Sequence, residues 1–419
     1  IIMNHTLKSY KLTTVSCFVG IFVQAVITNV TAVLFIPFMN LYGFSYVHLG
    51  LLVALNFSVQ VASDIIFSGL IDKLGFKKLV LPATVFAFIG LLLFALTPFI
   101  FENIFLGISI STFIFSAASG LLEILLSPVI NAIPNENKGP AMALMHSFYA
   151  WGQILTIVVT TMFIHFSGIE NWQIIIIIWS LVPLIDFFMF LFALFPDVIA
   201  EEHRLNMRDL ILKPFYLIAL AAIFFGAATE IVMNQWSSTF MEKALLLPKL
   251  TGDILGMTGF AFMLGLGRLL YSTYGSKLNM NRVLILSSAM AVICYIFVAV
   301  SPFNTVNLLA CALCGLAASL LWPGTLVIAS DKYPLAGAWM FAILAAAGDI
   351  GAAFGPFITG IVAEQSIKTR LITNWAAKLG ISAEQLGMRT GILIATIFPA
   401  IALVCHIALK NRQSISEKG

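Results

Sequence analysis

Five acidic residues stand inside long apolar stretches of the sequence, with no Lys or Arg close along the chain to neutralise them: Asp64, Glu123, Asp186, Glu230 and Asp349. Asp186 has no polar companion on its helix face, so we do not expect it to act. A charged side chain at the centre of a bilayer costs at least about 2.5–3.5 kcal/mol, so it faces a protein interior or a watery cavity. Burial also favours the neutral form of a carboxylate. Such an acid can bind a proton, or a sodium ion with neighbouring oxygens, and release it when its surroundings change.

The composition indicates that these acids belong to a membrane protein. Hydrophobic residues make up 60% of the 419 residues and charged residues only 10%. A soluble domain carries about 25% charged residues, and no soluble core could bury this apolar excess. The elements that position the acids must therefore cross a bilayer.

Twelve apolar runs are long enough to do so as helices, which need about 20 residues each. They lack the alternation of polar and apolar residues typical of membrane β-strands. The sequence predicts an all-α membrane protein of twelve transmembrane helices, with spans at 12–40, 45–70, 79–99, 103–133, 140–166, 171–196, 214–241, 251–274, 282–301, 304–330, 335–363 and 388–409.

Basic residues in the connections predict the orientation. If both termini are cytoplasmic, 16 of the 22 Lys and Arg residues lie on the inner side, as the positive-inside rule requires. This bias accounts for the net charge of +3, and no basic stripe suggests nucleic-acid binding.

The five cysteines do not suggest a metal centre. Cys311 and Cys314 form a CxxC pair within an apolar span, but the second pair of ligands that zinc needs is missing. We expect small hydrophobic packing residues here, no metal and no cofactor besides a proton or sodium ion as the coupling ion.

The chain divides into two related halves. The stretch 197–213 is the most charged cytoplasmic connection, and it separates a six-helix bundle at 1–196 from another at 214–419. Pro128 and Gly152 in the first half have counterparts in Pro323 and Gly348 in the second. Two repeats of six spans in the same orientation are typical of bundles related by an axis along the membrane normal.

The loop after span 2 reads SGLIDKLGFKK, residues 68–78. It resembles the signature of the major facilitator superfamily, in which a small residue precedes D-[RK]-x-G-x-[RK]-[RK]. The resemblance implies a latch in which the Asp bonds a helix N-terminus of the other half and breaks when the inside opens. The expected latch residues are Asp72, Lys73, Gly75, Lys77, Lys78 and, from the second half, Arg268.

Polar side chains at helical spacing predict a cavity lining. Asn56, Gln60 and Asp64 recur every four residues, which places them on one helix face. We expect Glu123 and Asp64 to bind the coupling cation. The expected substrate-binding residues are Gln24, Asn29, His146, Gln153, Glu230, Asn234, Gln235, Trp236, Trp322 and Asp349.

Three stretches resemble the fucose permease (FHS) branch of sugar:proton symporters. They are GLLEILLSPVINAIPNENKGPAMALMHSFYAWGQI in spans 4 and 5, GAATEIVMNQWSSTFME in span 7 and GDIGAAFGPFITG in span 11. The branch's buried Asp in span 1, four residues before a Pro, is replaced here by Val33. Glu123 must therefore couple alone, or with Asp64, Glu230 or Asp349.

The resemblance implies an alternating-access secondary transporter, not an enzyme, that takes up a sugar or similar small polar solute with protons. The expected protein is a multi-pass monomer of a bacterial inner membrane. One alternative is a proton-driven exporter of drugs or amphiphiles, although the glycine-rich element of such exporters is missing from span 5. The other is a transporter-like receptor or membrane enzyme, and no HExxH or GxSxG motif occurs. The outer stretch 364–389 suggests helical turns but no role.

Overall fold

The computed structural model describes residues 10–68, 74–133, 138–196, 210–274, 278–333 and 337–416. All regular structure in these ranges is helical, and twelve helices are long and apolar enough to cross a membrane, which confirms the predicted fold class. The twelve spans are Lys11–Val33, Tyr46–Phe67, Phe76–Ile100, Ile104–Ile130, Leu144–Ser167, Ile169–Phe192, Pro214–Lys243, Lys249–Tyr271, Met280–Val300, Asn304–Lys332, Ala342–Lys368 and Ala383–Arg412, numbered 1 to 12.

Prolines explain two interruptions of these helices. Span 1 ends at Val33, and a short helix, Phe35–Tyr42, continues it. Span 10 consists of two helices, Asn304–Ala318 and Leu321–Lys332. A proline has no N–H to donate, and its ring crowds the carbonyl four residues earlier. Pro37 and Pro323 stand four residues after Val33 and Ser319, so each break falls where its proline removes a helical hydrogen bond.

The chain forms two compact units. The first consists of Ile1–Phe44 and Leu55–Glu201, and the second of Ser45–Ala54 and Glu202–Gly419. In the first unit, span 1 packs against spans 4, 5 and 6, and span 3 packs against spans 4 and 6. In the second unit, span 7 packs against spans 8, 10, 11 and 12.

The second unit includes a short piece that the sequence assigns to the first half. Within that unit, the Tyr46 hydroxyl donates to Glu384 at 2.7 Å, and the backbone N–H of Val47 donates to Glu364 at 3.0 Å. The first N–H groups of a helix have no partner inside the helix. A carboxylate from the end of span 11 therefore caps the start of span 2.

A short helix, Arg370–Leu379, lies between spans 11 and 12. It ends at Gly380, whose φ of 68° is left-handed, and Ile381 donates its N–H back to Ala376 at 3.1 Å. A glycine in this conformation is a common helix stop. Span 12 begins at once after it with a Ser382–Gln385 capping box, so the helical turns predicted for 364–389 are present.

Candidate functional site

Asp64 of span 2 and Glu123 of span 4 lie side by side in the first unit. One carboxylate oxygen of Asp64 and one of Glu123 are within 4.8 Å of each other. Asp64 is 8% exposed, and its Oδ1 is buried with no hydrogen-bond donor in the part of the chain that the structure describes. Two carboxylates this close repel when both are charged, so a proton or a small cation between them relieves the repulsion.

A glycine brings the two helices together. A Cβ built on Gly120 would lie 2.8 Å from the Gln60 carbonyl oxygen and 2.8 Å from Ser63 Cβ. Spans 2 and 4 therefore touch backbone to backbone at this point, as small residues allow in membrane helices. Gly120 is one turn before Glu123, and Gln60 and Ser63 are one turn or less before Asp64, so the contact aligns the two acids.

Span 1 contributes an amide to the pair. Gln24 Nε2 donates to Glu123 Oε2 at 3.3 Å and to the Ser119 carbonyl at 3.2 Å. Gln24 therefore ties span 1 both to the Glu123 carboxylate and to the backbone of span 4. Glu123 itself is half-buried.

Hydroxyl and amide groups of spans 2 and 4 extend this site. Asn56 Oδ1 accepts from Gln60 Nε2 at 2.8 Å and from the Ser116 hydroxyl at 2.9 Å. Gln60 Oε1 accepts from the Ser119 hydroxyl at 2.9 Å. These bonds fix the side-chain amides of the polar face that the spacing of Asn56, Gln60 and Asp64 predicts.

The other sequence-predicted residues of the first unit differ in accessibility. Asn29 is fully buried and donates to the Ala25 carbonyl of its own helix at 2.9 Å. Gln153 is also buried. His146 is exposed and forms a 3.2 Å hydrogen bond with Ser127 of span 4. His146 is thus accessible, whereas the Asn29 amide bonds its own helix in this structure. The solute-binding roles of both stay predictions.

Glu230 of span 7 is not an isolated acid, as the sequence suggests, because Arg268 of span 8 pairs with it. Arg268 Nη2 lies 3.1 Å from Glu230 Oε1, and its Nε donates to the Ser319 carbonyl at 3.3 Å. That carbonyl is the one that Pro323 frees at the break in span 10. In this structure the Arg268 guanidinium thus bonds partners inside the spans of its own unit, and its latch role stays a prediction.

Trp236 cannot stack on a solute in this structure. Its side chain is 0% exposed, and its indole Nε1 donates to the Pro356 carbonyl of span 11 at 3.1 Å. Its neighbours Asn234 and Gln235 are buried as well. This part of span 7 packs against span 11, and the Trp236 ring is a packing residue in this structure. Its predicted role in contacting a sugar stays a prediction.

Trp322 and Asp349 lie together in the second unit. The Trp322 ring covers Gly348, where a Cβ would be 2.3 Å from its Cζ3 atom. Asp349 follows directly and is 4% exposed. Trp322 itself is half-buried. The glycine thus makes room for the Trp322 ring against span 11. The solute-binding roles of Trp322 and Asp349 stay predictions.

The latch motif lies partly outside the described residues, where Asp72 and Lys73 fall. Gly75 has a φ of 79° and precedes span 3, as a tight turn requires. Lys77 donates to the carbonyls of Leu191 at 2.8 Å and Ala193 at 3.4 Å, whereas Lys78 is exposed. Lys77 therefore caps the C-terminus of span 6 in its own unit, where a cation is favourable. Its part in a latch stays a prediction.

Sequence reasoning missed Ser116, Ser119 and the Arg268 pairing. Isolated serines in apolar helices carry no signal of their own, although Ser116 and Ser119 both lie within two turns of Glu123. Asp186 of span 6 is 0% exposed, with neither oxygen hydrogen-bonded within the described ranges. It faces Gly20 of span 1, whose Cβ would lie 3.4 Å from Asp186 Oδ2.

Known structures share this fold. A bacterial homolog of the human lysosomal transporter Spinster matches with a TM-score of 0.76 at 13% identity, over 98% of this chain and 97% of that chain. The nucleoside transporter NupG matches with a TM-score of 0.75 at 15% identity, over 94% and 99%. The E. coli fucose:proton symporter FucP matches with a TM-score of 0.63 at 16% identity, over 96% and 99%.

Comparison of sequences, rather than structures, gives a match to a family profile. No curated protein sequence is significantly similar to this chain. The profile of the Major Facilitator Superfamily, however, matches residues 17–356, which is most of the chain. Together with the twelve spans, this match means that the chain belongs to the Major Facilitator Superfamily.

Proposed function

We propose that the protein is a proton-coupled symporter that takes up a sugar or a similarly small polar solute by alternating access. The observation that carries this proposal is the pair formed by Asp64 and Glu123, whose carboxylate oxygens lie within 4.8 Å of each other. Binding one proton removes the repulsion between the acids, and release of that proton restores it. This linkage makes the state of the pair depend on the proton gradient.

The donors and acceptors around the pair support a polar solute. Gln24, Asn56, Gln60 and Ser119 provide amides and a hydroxyl within one connected network. Such groups discriminate well between solutes that carry hydroxyls and analogues that lack them, because an unmatched polar group is costly when buried. His146, Trp322 and Asp349 are the further residues that we propose for solute binding.

Similar folds include proteins of related function. One is described as a nucleoside transporter and another as a fucose:proton symporter. The family consists of transporters rather than enzymes, so the inference that this protein is a transporter does not depend on these two neighbours. The direction of transport, the proton as the coupling ion, the sugar-like solute, a bacterial inner membrane with both termini in the cytoplasm, and a monomeric state are parts of the proposal.

Gradient-driven accumulation tests the proposal. The protein is reconstituted into sealed vesicles, and uptake of labelled hexoses, amino sugars and nucleosides is measured with an inward proton gradient, an inward sodium gradient or no gradient. Solutes are first selected by their effect on the melting temperature of the purified protein. We expect at least one solute to accumulate above its external concentration with the proton gradient alone, and an uncoupler to abolish the accumulation.

Protein-free vesicles provide the background. Accumulation that requires the sodium gradient instead would replace the proton with sodium in the same site. Solute loss from preloaded vesicles under the inward proton gradient would indicate the exporter alternative. Solute binding without any flux would indicate the receptor alternative, and it would contradict the proposal.

A further inference from the structure

The helix Arg370–Leu379 exposes an apolar stripe outside the membrane spans. Leu371, Trp375 and Leu379 are 62%, 58% and 62% exposed. They stand at positions i, i+4 and i+8, and each step of four residues advances about 40° around a helix. The three side chains therefore form one stripe about 80° wide along a helix of 10 residues.

The neighbouring face of this helix packs against the protein. Ala376 is 2% exposed and Ile372 is half-buried, and the helix contacts spans 11 and 12. Ile372 and Ala376 follow Leu371 and Trp375 by one residue, or about 100° of rotation. The apolar arc is thus continuous, and only one part of it is covered by the chain itself.

Polar and basic residues border the uncovered part. Arg370, Asn374 and Lys378 are exposed, and they lie on the side of the stripe that is opposite to Ile372 and Ala376. An apolar face next to cationic residues, with a Trp between two leucines, is typical of a helix that lies in a membrane interface. There the apolar side chains reach the acyl boundary and the cations meet lipid phosphates.

The position of the helix in the chain fits such an interface. Span 11 ends at Lys368 and span 12 begins at Ala383, so a single residue, Thr369, separates the helix from a membrane-spanning segment. The Gly380 stop and the Ser382 cap fix both ends of the following turn. The helix is therefore held directly beside the ends of two helices that are long and apolar enough to cross a membrane.

We propose that the helix Arg370–Leu379 is an interfacial anchor that binds the bilayer surface, with Leu371, Trp375 and Leu379 in the acyl boundary and Arg370 and Lys378 at the phosphates. This binding surface does not depend on the solute or the coupling ion. It holds the connection between spans 11 and 12 against the membrane, on whichever side that connection lies.

Tryptophan fluorescence tests the proposal on the full-length protein in vesicles of phosphatidylethanolamine and phosphatidylglycerol. The difference in emission between the wild type and Trp375→Phe reports Trp375 alone, although the chain has 7 Trp residues. A lipid brominated near the headgroup and an aqueous iodide salt serve as the quenchers. We expect brominated lipid to remove most of the Trp375 emission and iodide to change it several-fold less.

A matched variant moves the probe to the exposed polar face. Thr373→Trp in the Trp375→Phe background should reverse the pattern, with strong quenching by iodide and weak quenching by brominated lipid. Leu371→Trp in the Trp375→Phe background gives a second probe on the stripe. All variants are checked for an unchanged melting temperature and a monodisperse elution profile. Iodide quenching at positions 371 and 375 as strong as at 373 would overturn the proposal. Protection of both stripe positions from both quenchers would overturn it as well, because a second protein copy would then cover the stripe.

Discussion

At the residue scale, the decisive feature is how few donors surround the acids of the first unit. Glu123 accepts from the amide of Gln24, while Asp64 Oδ1 has no donor within the described ranges. In the second unit, by contrast, Glu230 has a guanidinium beside it. A neighbouring cation favours the charged form of an acid, whereas a second acid close by favours the neutral form of one of the two. The two units thus use buried carboxylates differently.

The Glu230–Arg268 pair predicts a stability effect. Arg268→Gln leaves Glu230 buried without its cation, and removal of one partner of such a pair is costly. We expect a loss of roughly 1–3 kcal/mol, seen as a lower melting temperature in detergent.

The double variant Glu230→Gln/Arg268→Gln should recover most of this loss, because no unpaired charge remains. Arg282→Gln is the matched control, since Arg282 is exposed at the start of span 9. A single variant as stable as the control would show that the pair contributes nothing.

At the element scale, glycines and prolines decide where helices meet and break. Gly120 sets the contact of spans 2 and 4, and Gly351 allows a similar approach in the second unit, where a Cβ would lie 2.0 Å from the Phe224 carbonyl oxygen. Pro323 breaks span 10 and leaves the Ser319 carbonyl to Arg268. The glycine contact brings Asp64 and Glu123 together, and the proline break gives Arg268 its backbone acceptor.

The role of Gly120 leads to a paired prediction. Gly120→Ala forces the Gln60 backbone away, so we expect both a lower melting temperature and weaker gradient-driven uptake. Gly259→Ala is the control, because its Cβ would meet nothing closer than Ala312 Cβ at 3.8 Å. That control should be neutral or slightly stabilising, as alanine favours a helix over glycine by up to about 1 kcal/mol. Equal stability and uptake for both variants would contradict the close contact.

The sequence predicts the elements better than their junctions. Hydrophobic length is enough to find all twelve spans, because crossing a bilayer leaves little alternative. The start of span 12 lies at Ala383 rather than 388, since the capping box at Ser382 is a stronger start signal than hydropathy. The amphipathic helix before it is too short and too polar to register as a span.

At the scale of the whole molecule, sequence patterns identify the family but not every partner. The helical spacing of Asn56, Gln60 and Asp64 predicts a shared face, and the structure adds Glu123 to it from another helix. The sequence gives no sign that Arg268 lies against Glu230, because the two are 38 residues apart on different spans. Trp236 is a residue type that suggests contact with a solute, but its side chain is buried like that of a packing residue.

The transport cycle that we propose rests on one exchange. A proton taken up by the Asp64–Glu123 pair removes a repulsion that otherwise opposes closure around the acids. The solute then moves with the proton, and proton loss resets the pair. Neutralising Glu123 permanently should therefore leave solute movement possible while removing its dependence on the gradient.

The most direct test compares Glu123→Gln with the wild type in the same vesicles, using a solute that the wild type accumulates. Glu102→Gln, at an exposed position between spans 3 and 4, is the matched control. We predict that Glu123→Gln still exchanges labelled for unlabelled solute across the membrane but no longer accumulates it with an imposed proton gradient. Accumulation by Glu123→Gln equal to that of the wild type and of Glu102→Gln would contradict the account.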